Sequence, residues 1–351
     1  MEIKAEIKGL KYTPLMCREL DEVSLSQLED ALAHKANFIL NMGELNRIAV
    51  SWWVSAKRTR SYPYARVYDT LGFSGKRATI IPVVKDEGAG GDRDFLQWDT
   101  ISLMSLLGVY VIIAYYVDAE RNPHFPDKIT NQRFDISFII SELNELLSYQ
   151  SDALHWNLSR VEKIKEITRR AIDSYELISE RIGVKMHSRG SAYSRILRLS
   201  NGRETFVHYS RHLAMNAQKR ESVTSHAMEL TDGTKEILTI KNYLGGVYYF
   251  TSDEVHIKGN EVQLVECKHS GQKTMPSEED IKDGLVKMIL FCNLENVTID
   301  GRPYLAVPVL KLSSTSSKSV LNGKQKERLS VLEKEAKANG FRIKFNDIFL
   351  I

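Results

Sequence analysis

The chain has 351 residues, 43% of them apolar and 26% charged, with 20 Gly and 8 Pro. That composition excludes a disordered or collagen-like chain, and the length allows one large domain or two to three modest ones with real cores. Three cysteines, Cys17, Cys267 and Cys292, odd in number and far apart, exclude a disulfide framework or a CxxC zinc site, and 48 Lys+Arg against 45 Asp+Glu leave a net charge of +3 that by itself assigns no partner.

The N-terminal stretch MEIKAEIKGLKY alternates charged and apolar residues and has no signal-peptide core. The most hydrophobic run, 101–117, falls short of the ~20 residues of a bilayer span, and Gly108 divides it into a helix-like and a β-branched half. It reads as a buried helix followed by a buried strand, so no membrane is expected and the protein is taken as soluble and cytoplasmic.

Three zones follow in chain order. Residues 1–150 form an N-terminal α/β region with a DNA-contacting role. Its strand signals lie at 48–54, 78–84 and 109–117, with a helix over 94–107 between the last two. Two continuously apolar strands around a helix read as a βαβ unit buried on both faces. Residues 151–183 are a helical connector. Ser159 and Glu162 match a capping box and Gly183 a helix stop, and Val161, Ile164, Thr168, Ala171, Tyr175, Ile178 and Ile182 form a stripe suited to internal packing or to a helix–helix dimer contact. Residues 184–351 alternate strands and helices: a hairpin over 245–270 turning at 258–260, a helix capped by Ser277, a strand at 304–310, a helix ending before Gly340 and a last strand over 341–351. The fold class expected is mixed α/β, a central mixed β-sheet flanked by helices.

The chemistry concentrates in that hairpin. Glu266 and Lys268 stand two apart on a strand, so they share a face. The apolar run Val262–Val265 delivers them to the end of a buried strand, and Asp253 lies on the other arm of the hairpin, within cross-strand reach of Glu266. Two converging carboxylates suit a hard cation such as Mg²⁺, and a neighbouring ammonium can orient or help deprotonate water and offset charge on a phosphate. This is a phosphodiester-hydrolysing constellation. The same spacing at Glu2/Lys4 and Glu6/Lys8 has no upstream acid, and at Asp280/Lys282 and Glu335/Lys337 it falls on predicted helices, where i and i+2 face apart. Glu254 directly follows Asp253, so either could be the first acid.

Asp253…Glu266-Cys267-Lys268, followed by the helix SEEDIKDGLVKMILF and the strand YLAVPVL, resembles the core of the PD-(D/E)xK nuclease superfamily, type II restriction endonucleases in particular. The likeness covers about 245–312 and extends more loosely over 184–351. It implies a restriction-endonuclease-like core, Mg²⁺-dependent hydrolysis of double-stranded DNA, Asp253 and Glu266 as metal ligands with the Cys267 carbonyl as a further one, and Lys268 acting on the attacking water. Ser252 stands where the family pattern has Pro.

A second acidic segment, Asp86, Glu87, Asp92 and Asp94, lacks a Lys two residues after any acid and reads as structural or DNA-facing, with a share in catalysis as the lesser option. The GAGG run at 88–91 lacks phosphate-loop spacing, so no nucleotide cofactor is expected. Residues 181–220 hold Arg189, Arg195, Arg198, Arg203, Arg211, Lys219 and Arg220 among nine basic residues against one acid, Glu204, and residues 57–77 add Lys57, Arg58, Arg60 and Arg66 interleaved with tyrosines. Both are candidate DNA-gripping patches. The reading is therefore a Mg²⁺-dependent, sequence-specific endonuclease of the restriction type, acting as a homodimer on a palindrome. The alternatives are a structure-selective nuclease of repair, recombination or mobile elements, and a non-catalytic DNA-binding protein on a nuclease-like fold.

Overall fold

A computed structural model describes residues 2–43, 46–57, 62–192, 234–242, 247–271, 273–315 and 321–350. The chain splits into two compact units, Glu19–His212 and a discontinuous one made of Met1–Arg18 with Leu213–Ile351. Strand β1 (Glu2–Ile7) opens the chain and belongs to the discontinuous unit.

The first unit runs β2 (Glu22–Ser24), α1 (Leu28–His34), β3 (Asn37–Asn41), β4 (Arg47–Trp52), α2 (Pro63–Thr70) and β5 (Lys76–Pro82). A short hairpin, β6 (Val84–Asp86) and β7 (Arg93–Phe95), leads to α3 (Trp98–Leu106) and β8 (Tyr110–Ala114). The antiparallel pair β9 (Tyr116–Arg121) and β10 (Ile129–Phe134) precedes helices α4 (Ile136–Ser148) and α5 (Ala153–Ile182). One sheet has the order β2-β3-β4-β5-β8, with β4, β5 and β8 mutually parallel. The expected strand–helix–strand unit is present as β5, α3 and β8. Gly108, at φ 66°, makes the left-handed turn that ends the helix and starts the strand, and among the described residues no helix is long and apolar enough to cross a membrane.

Strand β8 ends its sheet, and α5 occupies the edge in place of another strand. Asn157 Oδ1 accepts the Val111 N–H at 2.7 Å, its Nδ2 donates to the Val109 carbonyl at 3.0 Å, and Trp156 Nε1 donates to the Val111 carbonyl at 2.9 Å. Both side chains are fully buried. The helix begins earlier than the capping-box reading places it: Asp152 is the N-cap, accepting the His155 N–H, and Ser159 lies inside the helix. Gly183 ends it at φ 66° as expected. The stripe Val161, Ile164, Thr168, Ala171, Tyr175 and Ile178 is buried within the protomer, with α5 packed on β8 and β9, so it is not a dimer contact.

In the discontinuous unit β11 (Thr234–Asn242), β12 (Val247–Lys258) and β13 (Glu261–Ser270) precede α6 (Glu278–Phe291). Then come β14 (Glu295–Ile299), β15 (Arg302–Pro303), β16 (Leu305–Ser314), α7 (Gly323–Asn339), β17 (Arg342–Phe345) and β18 (Ile348–Phe349). Among the described residues they form a nine-stranded mixed sheet, β15-β14-β1-β11-β12-β13-β16-β17-β18. The chain thus has the mixed α/β class expected, with a large mixed sheet flanked by helices. The last strand, read as continuous over 341–351, is a tight hairpin instead, because Asn346 and Asp347 take positive φ (44° and 67°).

The domain boundaries differ from the three zones. β1 pairs parallel with β11 and antiparallel with β14, burying Ile3, Ala5 and Ile7, so residues 1–18 belong with the C-terminal sheet. Buried Glu335 of α7 fixes the segment after β1 by accepting the Tyr12 hydroxyl at 2.7 Å and the N–H groups of Leu15 and Met16, each at 2.9 Å. Helix α5 is part of the Glu19–His212 unit, not a connector, because its apolar stripe is spent on that unit's strands.

Replacing Asn157 by Leu keeps the volume but strands two buried backbone groups. It is expected to cost about 2–4 kcal/mol, measured by urea denaturation, with faster hydrogen exchange at the Val111 amide. An unchanged midpoint would remove the edge-sealing role.

Candidate active site

The hairpin expected over 245–270 is β12–β13, turning at Gly259 and Asn260, and its regular ladder runs from Lys258↔Glu261 to Glu254↔Val265. There the pairing of β12 becomes irregular on its other side: Thr234 faces Val255 and Glu236 faces Ser252, leaving Asp253 and Glu254 opposite Lys235. Such a bulge re-aims side chains. Beyond the ladder the Asp253 carboxylate takes the place of a strand carbonyl, accepting the Cys267 N–H at 2.9 Å. Ser252 is fully buried, with its hydroxyl shared between the carbonyls of Glu254 (2.8 Å) and Val265 (3.0 Å).

Asp253, Glu266 and Lys268 come together on one face, as expected. Glu266 is 1% exposed, and burying a carboxylate costs several kcal/mol unless it is paired. Two ammonium groups meet it: Lys268 Nζ lies 3.0 Å from Oε1 and Lys287 Nζ 2.5 Å from Oε2. Lys287 also donates to the Thr251 carbonyl at 3.2 Å, and Lys268 pairs with Asp283 at 2.6 Å.

Asp283 and Lys287 come from α6, four residues apart and so on one side of the helix. They are the site residues that the sequence reading missed. Their signal was present as a D-x-x-x-K pair inside an otherwise apolar helix, but such pairs are common on solvated faces. The helix is placed by a Ser277/Asp280 capping box and by buried Ile281, Leu285, Met288 and Ile289. Gly284 permits its close approach: a Cβ there would stand 2.8 Å from Leu310 Cδ1 and 3.2 Å from Lys268 Cε.

The electrostatics define what each group can do. Burial, then the charge of Glu266, pushes the Asp253 carboxyl up to about 6, against the smaller opposing effects of Lys287 and the Cys267 N–H. Burial alone would lower Lys268, but the carboxylates of Glu266 and Asp283 more than reverse this and raise it above the ordinary lysine value. Lys268 is therefore an ammonium at any ordinary pH, a hydrogen-bond donor and charge stabiliser and not a base for water.

Successive residues on the same strands face the other way. Glu254 accepts from Lys311 at 3.0 Å, meets His256 Nε2 at 3.1 Å and receives the Cys267 thiol at 3.4 Å. Of the two candidate first acids, Asp253 is the one that shares a face with Glu266, while Glu254 is committed to the opposite face. Burial, with Glu254 and Asp253 nearby, drives the Cys267 thiol well above its ordinary value, which disfavours the thiolate.

The donors offered to a cation are hard oxygens: two carboxylates in contact, plus the Cys267 carbonyl, which leaves an extended strand on the same side as the N–H that Asp253 accepts. Burial and the like-charged Glu266 both disfavour the ionised Asp253, a cost that a divalent cation held by these oxygens would relieve, although among the described residues no group of three or more His, Cys, Asp or Glu is arranged as a metal site. Three acids of the other segment are held by partners of their own. Asp86 accepts from His187 Nδ1 at 2.7 Å and the Gly88 N–H at 2.9 Å, Asp94 from Ser55 Oγ at 2.7 Å with Lys57 alongside, and Glu87 pairs with Lys85 at 3.1 Å. They stabilise the β6–β7 hairpin and its surroundings.

Of the residues proposed to grip DNA, Lys57 pairs with Asp94 and Arg66 donates to the Trp52 carbonyl at 2.9 Å while stacking on its indole, 4.5 Å from the ring centre. Arg189 pairs with Asp173 and Glu176 of α5. Arg58, Arg60, Arg195, Arg198, Arg203, Arg211, Lys219 and Arg220 lie outside the described residues.

The raised Asp253 carboxyl has a stability consequence. Between the unfolded value near 4 and about 6 the folded protein binds the extra proton, so stability falls as pH rises through that window and the deficit is complete above it. Asp253→Asn, which still accepts the Cys267 N–H, is expected to stabilise the metal-free protein by about 1–3 kcal/mol at pH 7.5, a gain that vanishes near pH 4. Denaturant titrations at the two pH values measure it, and equal gains at both would contradict the origin given.

No protein-family model matches the chain, and no curated protein matches it. A solved structure described as the adenylation, ketoreductase and pseudo-Asub multidomain structure of a keto acid-selecting NRPS module aligns at 12% identity, covering 99% of this chain and 25% of that one, with a TM-score of 0.14. A likeness that distant carries no argument about fold or chemistry.

Proposed function

We propose that the chain is a Mg²⁺-dependent, sequence-specific endonuclease that hydrolyses phosphodiesters of double-stranded DNA, in the manner of type II restriction endonucleases. The observation that carries this is the convergence of Asp253, Glu266 and Lys268 on one face of a buried hairpin end, with Asp253 raised to about 6 by burial and by Glu266. Asp253 and Glu266, with the Cys267 carbonyl, would hold the cation, whose charge supplies Lewis-acid stabilisation of the scissile phosphate. Above pH 6 Asp253 is ionised and competent to bind. Lys268, held as an ammonium by Glu266 and Asp283, would donate a hydrogen bond to the attacking water or to a phosphate oxygen and offset the charge that builds there. Attack in line on phosphorus breaks the P–O3′ bond and leaves a 5′-phosphate and a 3′-hydroxyl. Cutting both strands of a palindrome calls for a homodimer, whose contact is not the buried face of α5.

A second reading, a DNA-binding protein without cleavage, has one observation in its favour: both Glu266 oxygens already meet ammonium groups.

Incubation of unmethylated phage and plasmid DNA with Mg²⁺, beside EDTA and Glu266→Ala controls, separates these. Discrete fragments that require the cation and disappear in the mutant are expected, with at least a 10³-fold loss of rate, about 4 kcal/mol of transition-state stabilisation. Cleavage confined to branched or damaged substrates would favour the structure-selective alternative. Binding without cleavage under every divalent ion would favour the non-catalytic one.

A further inference from the structure

We propose that Lys287 is a resident counter-cation, whose ammonium holds Glu266 in the metal-free protein and sets how tightly the Asp253–Glu266 pair takes up a divalent cation. This rests on the carboxylate pair being the cation site proposed above.

The two lysines on Glu266 are not equivalent. Lys268 bridges Glu266 and Asp283, at 3.0 and 2.6 Å, so a second carboxylate supports its charge. Lys287 bridges Glu266 at 2.5 Å and a neutral carbonyl, Thr251, at 3.2 Å; among the described residues Glu266 is the one carboxylate in direct contact with it, and its charge also reaches Asp253. Lys287 is 4% exposed, so water does little to screen it. A divalent cation arriving at Asp253 and Glu266 therefore meets a fixed positive charge already seated on one of its ligand oxygens.

The charge count points the same way. Asp253, Glu266 and Asp283 face Lys268 and Lys287, a site with three acids against two bases. Lys287 makes the buried Glu266 tolerable before the cation comes and raises the concentration of cation needed to displace or share its partner. It is a positioning residue, acting through Glu266 and not on the phosphate.

The test is calorimetric titration of Mn²⁺ into the full-length protein without DNA, for the wild type, Lys287→Gln and Lys287→Met, with Lys287→Arg as the charge-retaining control. Glutamine keeps a donor for Glu266 or Thr251, and methionine keeps the length. Mn²⁺ is expected to bind at least tenfold more tightly to the Gln and Met variants, with Lys287→Arg close to wild type and the gain abolished by adding Glu266→Gln. Unchanged or weaker Mn²⁺ binding in both neutral variants, or no binding in any protein, overturns the proposal. If the neutral variants unfold without metal, Mn²⁺ must raise their melting temperature by more than it raises that of the wild type, and failure to do so also overturns it. Cation affinity that responds to Lys287 in a protein that never cleaves DNA would remove the nuclease reading alone. Cleavage with a cation affinity indifferent to Lys287 would remove this inference alone.

Discussion

The discontinuous unit is organised around one energetic problem, a carboxylate at Glu266 that is almost completely withdrawn from water. Left alone, such a group would take up a proton or unfold its surroundings. The solution is a chain of alternating charge, Asp283–Lys268–Glu266–Lys287, drawn from one strand and one helix. Each pair sits within hydrogen-bond reach, which is the condition under which buried ions offset their own desolvation. The rest of the local architecture serves this contact: the capped start of α6 fixes its register, and Gly284 removes the side chain that would hold the helix away from Lys268.

Much of this was legible in the sequence wherever the signal was local. The hairpin over β12 and β13, the helix capped by Ser277 and the Glu266/Lys268 pair all follow from periodicities of two or 3.6 residues and from a capping pattern, each contained in a few neighbouring positions. Asp283 and Lys287 were not legible, because a charged pair four apart looks the same whether it faces water or a buried strand. The placement of β1 was not legible for a different reason. Its alternating pattern marks a strand, but nothing in it names a partner more than two hundred residues away. Nor could the basic segments be weighed by counting charges: Lys57, Arg66 and Arg189 are held by Asp94, Trp52, Asp173 and Glu176, partners that composition does not reveal.

The same strands carry a second polar cluster on their reverse face, where Glu254 joins Lys311, His256 and the Cys267 thiol. Adjacent acids in the sequence thus have separate roles through nothing more than the two-residue period of a strand. Glu254 ties β12 to β16 from behind, while Asp253 is left to face Glu266. The irregular pairing at this point gives Asp253 a backbone N–H in place of a strand neighbour. An acid turned toward Glu266 and a bracing acid beside it follow from that division.

In the Glu19–His212 unit, the indole of Trp156 and the amide of Asn157 occupy the Val109 carbonyl and both backbone groups of Val111 at the start of β8. A sheet finished in this way is closed to growth from that direction. An inserted strand, an exchanged segment or a misfolded neighbour would have to evict two interlocked side chains before it formed its first bond. Among the described residues, this five-stranded sheet offers its other margin, at β2, as the side from which new structure could be accreted over evolutionary time or aggregates nucleated.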